Sequence, residues 1–294
     1  RQQADTTILV TGGCGFVGSN LVRHIIASRP RWRVVNLDSL TYAGNPSNLA
    51  DLEGNPQYVF LQGDIAEFAD TERVFQSYAP SAVINCAAET HVDRSLDDGK
   101  SFVRTNVLGT QVLLELARAN ESRLLQVSTD EVYGSLGPTG EFGEDSPLSP
   151  NSPYAASKAA ADLLVLAAFR SNSQDVVITR CSNNYGPYQY PEKLIPLMIT
   201  NSLESQPLPV YGRGVNVRDW IHVTDHCRAL LAALDNGKPG RVYNFGGASE
   251  ETNLHVVQMI LANLKQPESL IRFVSDRPGH DLRYAMDFRR ARAE

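Results

Sequence analysis

The sequence predicts an α/β protein with a doubly wound parallel sheet and a second, smaller α/β domain. Three observations support this fold class. Short apolar runs rich in Val, Ile and Leu alternate with stretches of helical periodicity, which is typical of a parallel sheet covered on both faces. A glycine-rich turn follows the first of these runs. After Asn184 the alternation gives way to an irregular stretch with many Pro and Tyr residues.

The predicted elements follow one another in the order that a parallel sheet requires. The apolar runs are too short for helices, so we expect them to form strands. Helical periodicity lies between several of them, most clearly around Val107, Val112 and Leu116. The predicted strands are residues 7–10, 34–37, 58–61, 82–85, 124–127 and 176–179, and the main helices are residues 20–27, 101–119 and 154–169.

These elements predict two domains. We expect the first at residues 1–184, with a return segment at about 215–240 that holds one strand and one helix. The second domain would span 185–294, and we expect its C-terminal part to be short. Residues 134–153 are rich in Gly, Pro and Ser, and a loop of that length inside a compact domain usually covers a site.

Composition excludes several classes of protein. The chain has 294 residues, 42% of them apolar, and a net charge of −6, which argues against a nucleic-acid surface. We find no apolar run long enough for a membrane span and no charged-then-apolar leader. The four cysteines are scattered without paired spacing, as expected of reduced thiols, so we expect a cytoplasmic location.

The glycine-rich turn predicts a dinucleotide site. Gly12, Gly15 and Gly18 are three residues apart, between a strand and the start of a helix. Glycine there permits a tight turn and lets the backbone approach a pyrophosphate, while the helix N-terminus offers free N–H groups. Asp38 ends the second strand, where a carboxylate can accept both ribose hydroxyls and would repel a 2′-phosphate. We therefore expect a Rossmann domain that prefers NAD to NADP.

Tyr154 and Lys158 are one helical turn apart, on one helix face. An ammonium near a phenol stabilises the phenolate, so we expect Lys158 to lower the pKa of Tyr154 and make it a usable base. A surface Tyr–Lys pair is the alternative. With the dinucleotide motif and a strand-end hydroxyl (Ser128 or Thr129), the chain resembles the short-chain dehydrogenase/reductase superfamily. Asn106 resembles the helical Asn of that superfamily.

Asp130 and Glu131 need a further explanation. Ser128 and Glu131 match the pattern of a capping box, but a loop rather than a helical repeat follows them. An acid and a base acting on one substrate are what an elimination requires. Oxidation of a sugar at C4 acidifies the hydrogen at C5, so that a base can remove it while an acid protonates the departing 6-hydroxyl. The pair therefore favours a dehydratase.

The chain resembles the dTDP-glucose 4,6-dehydratase family of that superfamily along nearly its whole length. The matching segments are residues 36–38, 40–45, 87–95, 128–134, 152–159, 180–188, 191–196, 216–220 and 276–281. The resemblance implies that Thr129 and Tyr154 hold the 4-hydroxyl, with Tyr154 as base and Lys158 beside it. It further implies that Asp130 is the acid at C6 and Glu131 the base at C5.

The resemblance also implies the ligand contacts. Asp64 and Ile65 would contact the adenine of NAD, and Arg218 would bind a diphosphate through its guanidinium. The implied cofactor-binding residues are Gly12, Gly15, Phe16, Val17, Gly18, Asp38, Asp64, Ile65, Ala87, Tyr154 and Lys158. The implied contacts to the substrate, dTDP-glucose, are Glu89, His91, Asn106, Asn183, Lys193, Leu194, Arg218, Asn253 and His280, although Asn253 has an alternative interpretation as a helix cap.

Other functions stay open at this point. A UDP-glucose 4,6-dehydratase would share the motifs, whereas an epimerase or decarboxylase for nucleotide sugars would not need the carboxylate pair. A non-catalytic dinucleotide sensor would need neither this pair nor Tyr154 and Lys158. We expect no metal site, because His222 is predicted on a strand and His226 has no cluster of further ligands. The resemblance implies a homodimer formed through the helices at residues 101–119 and 154–169.

Overall fold

The computed structural model describes residues 6–276 and 279–294. Residues 1–5 of the predicted first domain, and Arg277 and Pro278 of the last matching segment, lie outside the described residues. Within these ranges the strands are β1 (Thr6–Thr11), β2 (Trp32–Asp38), β3 (Tyr58–Gln62), β4 (Ala82–Asn85), β5 (Arg123–Thr129), β6 (Val176–Cys181), β7 (Asn183–Tyr185), β8 (Leu208–Tyr211), β9 (Val217–His222), β10 (Val242–Phe245), β11 (Glu250–Thr252) and β12 (Ile271–Val274).

Helices alternate with these strands. They are α1 (Phe16–Ser28), α2 (Phe68–Tyr78), α3 (Val92–Asp97), α4 (Gly99–Phe102), α5 (Gly109–Ala119), α6 (Pro153–Asn172), α7 (Leu194–Leu203), α8 (Val223–Asn236), α9 (Asn253–Leu264) and α10 (Arg289–Ala293). A π-helical segment, Val103–Leu108, joins α4 to α5, and 3-10 turns form at Pro46–Leu52, Asp130–Tyr133 and Glu268–Leu270.

The large sheet is parallel throughout, in the order β10-β6-β5-β4-β1-β2-β3. The chain runs outward from β1 to β3 on one side and returns to β4 on the other. The carboxyl ends of β1 and β4 therefore form the switch point at which sheets of this type bind ligands. The fold class predicted from the sequence is confirmed.

Apolar side chains cover both faces of this sheet. On one face, Leu21 and Ile25 of α1 pack in a fully buried cluster with Leu230 of α8. On the other face, Leu113 of α5 and Val165 of α6 pack in a second cluster over the strands. The strands are buried on both sides, which explains why their sequences are continuously apolar.

The six predicted strands are present as parts of β1 to β6, and the predicted main helices are present as well. The return segment differs from the prediction. β9 pairs with β7 and β11 in a small separate sheet, and the return to the large sheet is made by α8 and by β10, which pairs with β6. β12 and β8 form a further two-stranded sheet. The division into two domains at Asn184 stays a prediction.

The loop at residues 134–153 differs from expectation in its position. It packs against the C-terminal segment, where the Phe142 N–H donates to the Ala285 carbonyl and the Asp287 N–H donates to the Phe142 carbonyl. The Phe142 ring stacks on Tyr133 at 4.9 Å between centroids. The loop therefore supports the Asp130–Tyr133 turn from behind, and it contributes no residue to the lining of the central cleft.

Candidate active site

The glycine-rich turn brings the backbone of β1 against the end of β4. Gly12 has a φ of +67°, and a Cβ there would lie 2.7 Å from the Ala87 backbone. A Cβ on Gly18 would lie 2.1 Å from the Gly12 carbonyl oxygen. No side chain caps the start of α1 at Gly15, so its first N–H groups face the cleft without a capping side chain. The turn has the close backbone packing and the open helix N-terminus that a phosphate site requires.

Asp38 lies at the end of β2 and is mostly buried. Its Oδ2 accepts a hydrogen bond from the Cys14 N–H at 2.8 Å, and its Oδ1 accepts one from the Leu40 N–H at 2.8 Å. Burial raises the pKa of this carboxyl, and the two backbone donors act in the opposite direction. Each oxygen keeps a second lone pair, so the carboxylate retains acceptor capacity toward a ribose.

The acid–base turn is the 3-10 turn Asp130–Tyr133, which follows β5 directly. The Thr129 side chain caps this turn by accepting a hydrogen bond from the Glu131 N–H at 3.3 Å. Gly134 ends it with a φ of +83°, where a Cβ would lie 2.3 Å from the Ser149 carbonyl oxygen. Because the chain turns immediately after Thr129, both Asp130 and Glu131 line the same cleft. An extended strand would have directed these neighbours to opposite faces.

The surroundings of Asp130 raise the pKa of its carboxyl. The side chain is almost fully buried, and burial together with the neighbouring Glu131 carboxylate raises the pKa of Asp130 to about 8, against the opposing effects of Arg218 and Thr129. The Thr129 hydroxyl donates to its Oδ1 at 3.2 Å. Its Oδ2 is buried without a hydrogen-bond partner in the described part of the chain. These surroundings favour the protonated form of the Asp130 carboxyl, which is the form that a general acid needs.

Tyr154 and Lys158 lie on α6 and are both buried. The predicted effect of Lys158 on Tyr154 is wrong for this arrangement. Lys158 donates from Nζ to the Val127 carbonyl oxygen at 2.7 Å, and the pKa of Tyr154 is raised, first by burial and then by the Glu131 carboxylate. The Thr129 hydroxyl, in hydrogen-bonding contact with the phenol, acts in the opposite direction.

One cleft of about 320 Å³ at the carboxyl edge of the large sheet joins these parts. It is lined by every predicted catalytic residue and by every predicted cofactor-binding residue. Those are Thr129, Asp130, Glu131, Tyr154 and Lys158, together with Gly12, Gly15, Phe16, Val17, Gly18, Asp38, Asp64, Ile65 and Ala87. Of the residues predicted to contact the substrate, Glu89, Asn183 and Lys193 line the same cleft.

Asn106 and Arg218 do not line this cleft. Asn106 is buried in the π-helical segment, where its side chain exchanges hydrogen bonds with the Glu89 backbone and donates to Ser157 Oγ at 2.8 Å. Asn106 therefore lies behind the cleft lining and holds the backbone of Glu89, which is part of that lining. Arg218 is buried on β9, donates to the Asp281 carbonyl oxygen at 2.9 Å and lies over the Tyr284 ring.

The other four predicted substrate contacts also lie outside the cleft lining. Leu194 and Asn253 begin α7 and α9, and the side-chain cap of α9 is Thr252 rather than Asn253. His91 caps α3 and lies 3.8 Å from Glu192, measured between Nε2 and Oε2. The His280 Nδ1 lies 2.6 Å from Asp276 Oδ1. Their contacts to a substrate stay predictions.

The structure adds cleft residues that the sequence analysis did not single out. Tyr42 donates from its hydroxyl to Glu192 Oε1 at 3.1 Å, and its ring lies edge-on to Tyr190 and under the Arg94 guanidinium. Tyr42 and Glu192 are separated by 150 positions in the sequence, so no local pattern could have predicted this contact. His226, which the sequence analysis weighed only as a metal ligand, also lines the cleft, and burial lowers its pKa to about 4.

Two features of the described residues bear on other functions. No group of three or more His, Cys, Asp or Glu side chains is placed to hold a metal ion within residues 6–276 and 279–294. In the same ranges, no helix combines the length and apolar character needed to cross a membrane.

Comparisons with known proteins identify the family of this chain. The family model described as GDP-mannose 4,6 dehydratase matches residues 9–294. A dTDP-glucose 4,6-dehydratase of Xanthomonas campestris pv. campestris (strain B100) is 52% identical over 96% of this chain and 85% of its own length. The crystal structure of a dTDP-glucose 4,6-dehydratase from Streptomyces venezuelae, with NAD bound, superposes with a TM-score of 0.95 at 48% identity, over 98% of this chain and 90% of that one.

A UDP-glucose 4-epimerase of Thermus thermophilus, in complex with NAD, has the same fold at lower identity. Its TM-score is 0.90 and its identity 29%, over 98% of this chain and 92% of that one. The fold is thus shared with epimerases, whereas the higher identities are to dehydratases. This chain belongs to the family of the dTDP-glucose 4,6-dehydratases, within the extended short-chain dehydrogenase/reductase superfamily.

Proposed function

We propose that this chain catalyses the dehydration of dTDP-glucose to dTDP-4-keto-6-deoxyglucose, as an NAD-dependent hydro-lyase. The observation that carries the proposal is the acid–base turn. It brings Asp130, a buried carboxyl whose pKa is raised by burial, and the adjacent Glu131 into the cleft that also holds Thr129 and Tyr154. An enzyme that only moves hydride to and from a sugar has no need of this pair. Relatives about 50% identical are named for this reaction.

The residues present fit NAD. The Gly12 and Gly18 contacts leave no room for a Cβ, and the open start of α1 faces the cleft, which suits a pyrophosphate. Asp38 would hold the adenosine ribose, and its negative charge disfavours a 2′-phosphate. Asp64 and Ile65 line the cleft where the adenine is proposed to bind. When bound, NAD would accept a hydride from C4 of the sugar and return it to C6.

The remaining steps are assigned to side chains of this chain. Tyr154, in contact with Thr129, is the proposed base for the 4-hydroxyl proton. Because burial raises the pKa of Tyr154, its phenol can act as this base only when a positive charge lies close to it after the ligands bind. Glu131 then removes the C5 proton, and Asp130 gives its proton to the departing 6-hydroxyl, which leaves as water. When the hydride returns to C6, Glu131 gives its proton back to C5, and the proton taken from the 4-hydroxyl is left to restore Asp130. The roles differ because burial favours the protonated form of Asp130.

The proposed test is a product assay with purified protein and added NAD. Incubation with dTDP-glucose should give a product lighter by one water, with no net consumption of NAD. UDP-glucose is incubated in parallel, and competition binding of dTDP and UDP ranks the two nucleotides. Unchanged dTDP-glucose would overturn the proposal, and turnover of UDP-glucose alone would replace it with the UDP-glucose dehydratase.

The same assay tests the role of Glu131. In Glu131→Gln the C4 oxidation should continue, so reduced cofactor accumulates while loss of water falls by at least about 100-fold, the usual range for a general base. Glu53→Gln, which changes an exposed carboxylate outside the cleft lining, is the matched control and should behave like the parent. Full turnover by Glu131→Gln would contradict the assignment.

We further propose that the enzyme works as a cytoplasmic homodimer. Exposed apolar side chains support the dimer: Val103 and Leu108 on the π-helical segment and Leu163 on α6 are each about half exposed. The four cysteines Cys14, Cys86, Cys181 and Cys227 are all free, which supports a reducing compartment.

A further inference from the structure

Three charged side chains lie buried directly beneath the acid–base turn. Asp162, Arg180 and Lys158 are each at most 3% exposed. Arg180 donates from Nε to Asp162 Oδ2 at 2.8 Å. A buried ion pair of this kind is usually a structural feature, and charges at this depth require partners. A simple Arg–Asp pair, however, leaves the charge of Lys158 without an anion.

Lys158 precedes Asp162 by four residues on α6, so both side chains lie on one face of the helix. The hydrogen bond from its Nζ goes to the Val127 carbonyl, a neutral acceptor. Two ionisable groups in the described part of the chain act on it: Asp162 and Cys86, which follows β4. Burial raises the pKa of the Cys86 thiol to about 12, so that thiol is neutral at physiological pH. Burial also raises the pKa of Asp162, but the Arg180 guanidinium bonded to it acts in the opposite direction, so Asp162 is the group that supplies negative charge against the desolvation of Lys158.

Asp162 has a second effect through Arg180. Arg180 donates from a terminal nitrogen to the Tyr133 hydroxyl at 2.9 Å, and its guanidinium lies over the Tyr133 ring. Tyr133 in turn donates to Asn244 Oδ1 at 2.8 Å. Tyr133 is the last residue of the acid–base turn, so Arg180 anchors the end of the turn that carries Asp130 and Glu131.

We propose that Asp162 is a positioning residue for the dehydration, holding Lys158 charged on one side and Arg180 against the acid–base turn on the other. The groups that face it are Lys158 on its own helix, Arg180 on β6 and the Ser128 hydroxyl on β5. The role of Asp162 in the dehydration rests on the proposed function, whereas its effect on the charge of Lys158 does not depend on that function. The Asp162 carboxylate thus links the Tyr154–Lys158 pair to the Asp130–Glu131 pair.

The test separates charge from packing. Asp162→Asn alone leaves Arg180 buried without its anion and is expected to fold poorly. Asp162→Asn combined with Arg180→Met removes both charges and keeps similar volumes, so the region stays neutral around Lys158. Arg180→Lys is the matched control, because it disturbs the same site and keeps Asp162 charged. Thermal unfolding and NAD binding establish that each variant is folded.

The first readout is the pKa of Lys158, measured by NMR of isotopically labelled lysine side chains, with Lys158→Arg used to assign the signal. We expect the pKa to fall by about one unit or more in the double variant, as is typical when a nearby opposite charge is lost, and to stay within a few tenths in Arg180→Lys. An unchanged Lys158 pKa in a folded double variant would overturn the inference.

The second readout is the single-turnover reduction of NAD by dTDP-glucose in a Glu131→Gln background, a step that does not use Asp130. In the double variant Lys158 loses its proton at a lower pH, so the alkaline limb of the pH–rate profile should move to lower pH by about one unit. In Arg180→Lys this limb should not move. If the alkaline limb lies at the same pH in the double variant and in Arg180→Lys, the catalytic role inferred for Asp162 is overturned. If the Lys158 pKa falls but the parent does not reduce NAD, the proposed function fails and the electrostatic role of Asp162 stands.

Discussion

At the scale of single residues, the raised pKa of Asp130 favours a proton donor in the site and lowers the free energy of unfolding at neutral pH. An Asp side chain in an unfolded chain titrates at about pH 4, whereas burial raises the pKa of Asp130 to about 8. Between these values the folded protein binds more protons than the unfolded chain, so the free energy of unfolding falls as the pH rises. Below about pH 4 both states are protonated and the difference vanishes.

Replacing Asp130 by Asn should therefore stabilise the protein and abolish its elimination step. The gain in unfolding free energy should grow from about pH 4 to about pH 8, with an upper limit of about 1.4 kcal/mol for each pH unit. Urea unfolding of both proteins across this range measures it. Asp97→Asn, at an exposed position on α3, should show no such growth. An Asp130→Asn protein that is less stable than the parent at about pH 7.5 would contradict the destabilisation assigned to the burial of Asp130.

At the scale of elements, the acid–base turn depends on a single backbone conformation at its end. Gly134 takes a left-handed φ of +83°, and any Cβ would meet the Ser149 carbonyl oxygen at 2.3 Å. Gly134→Ala must therefore shift either the turn or the following loop. We expect a loss of about 1–3 kcal/mol in stability and a lower kcat, because Asp130 and Glu131 move with the turn.

Gly137→Ala is the matched control for this prediction. Gly137 lies in the same loop without a left-handed φ, and a Cβ there would meet no atom within 4 Å. Thermal unfolding and steady-state kinetics compare the two variants. Equal behaviour of Gly134→Ala and Gly137→Ala would show that the turn does not require glycine.

At the scale of the whole molecule, the proposed homodimer makes a prediction about mass. Leu108 and Leu163 are 48% and 55% exposed on the helical faces proposed for the interface. Leu108→Glu combined with Leu163→Glu would place charges in that interface, so light scattering should report half the mass of the parent. Leu203→Glu on α7, where the side chain is 65% exposed, is the control and should leave the mass unchanged. A parent that is monomeric at all concentrations would refute the dimer.

Local patterns in the sequence were enough for much of the fold and part of the site. Apolar runs of strand length predicted β1 to β6, because parallel strands are buried on both faces. They did not predict β10 (Val242–Phe245), which is as long as the predicted β4 but joins the sheet by pairing with the distant β6. The loop at residues 134–153 had the composition of a site cover, but its contacts with the C-terminal segment direct it behind the acid–base turn.

The order of residues along the chain was sufficient to specify the kinds of group that meet in this protein: a glycine turn at a strand end, Tyr154 one helical turn before Lys158, and two adjacent carboxylates after Thr129. These follow from spacing along the chain, which sets the geometry of a turn or a helix face. The charge states of these groups, in contrast, were set by the folded structure. The pKa of Asp130 depends on burial and on Arg218 of β9, and the charge of Lys158 depends on how deeply it and Asp162 are buried beneath the sheet edge. Desolvation and Coulomb energies depend on distances in space, which elements far apart in the sequence set together.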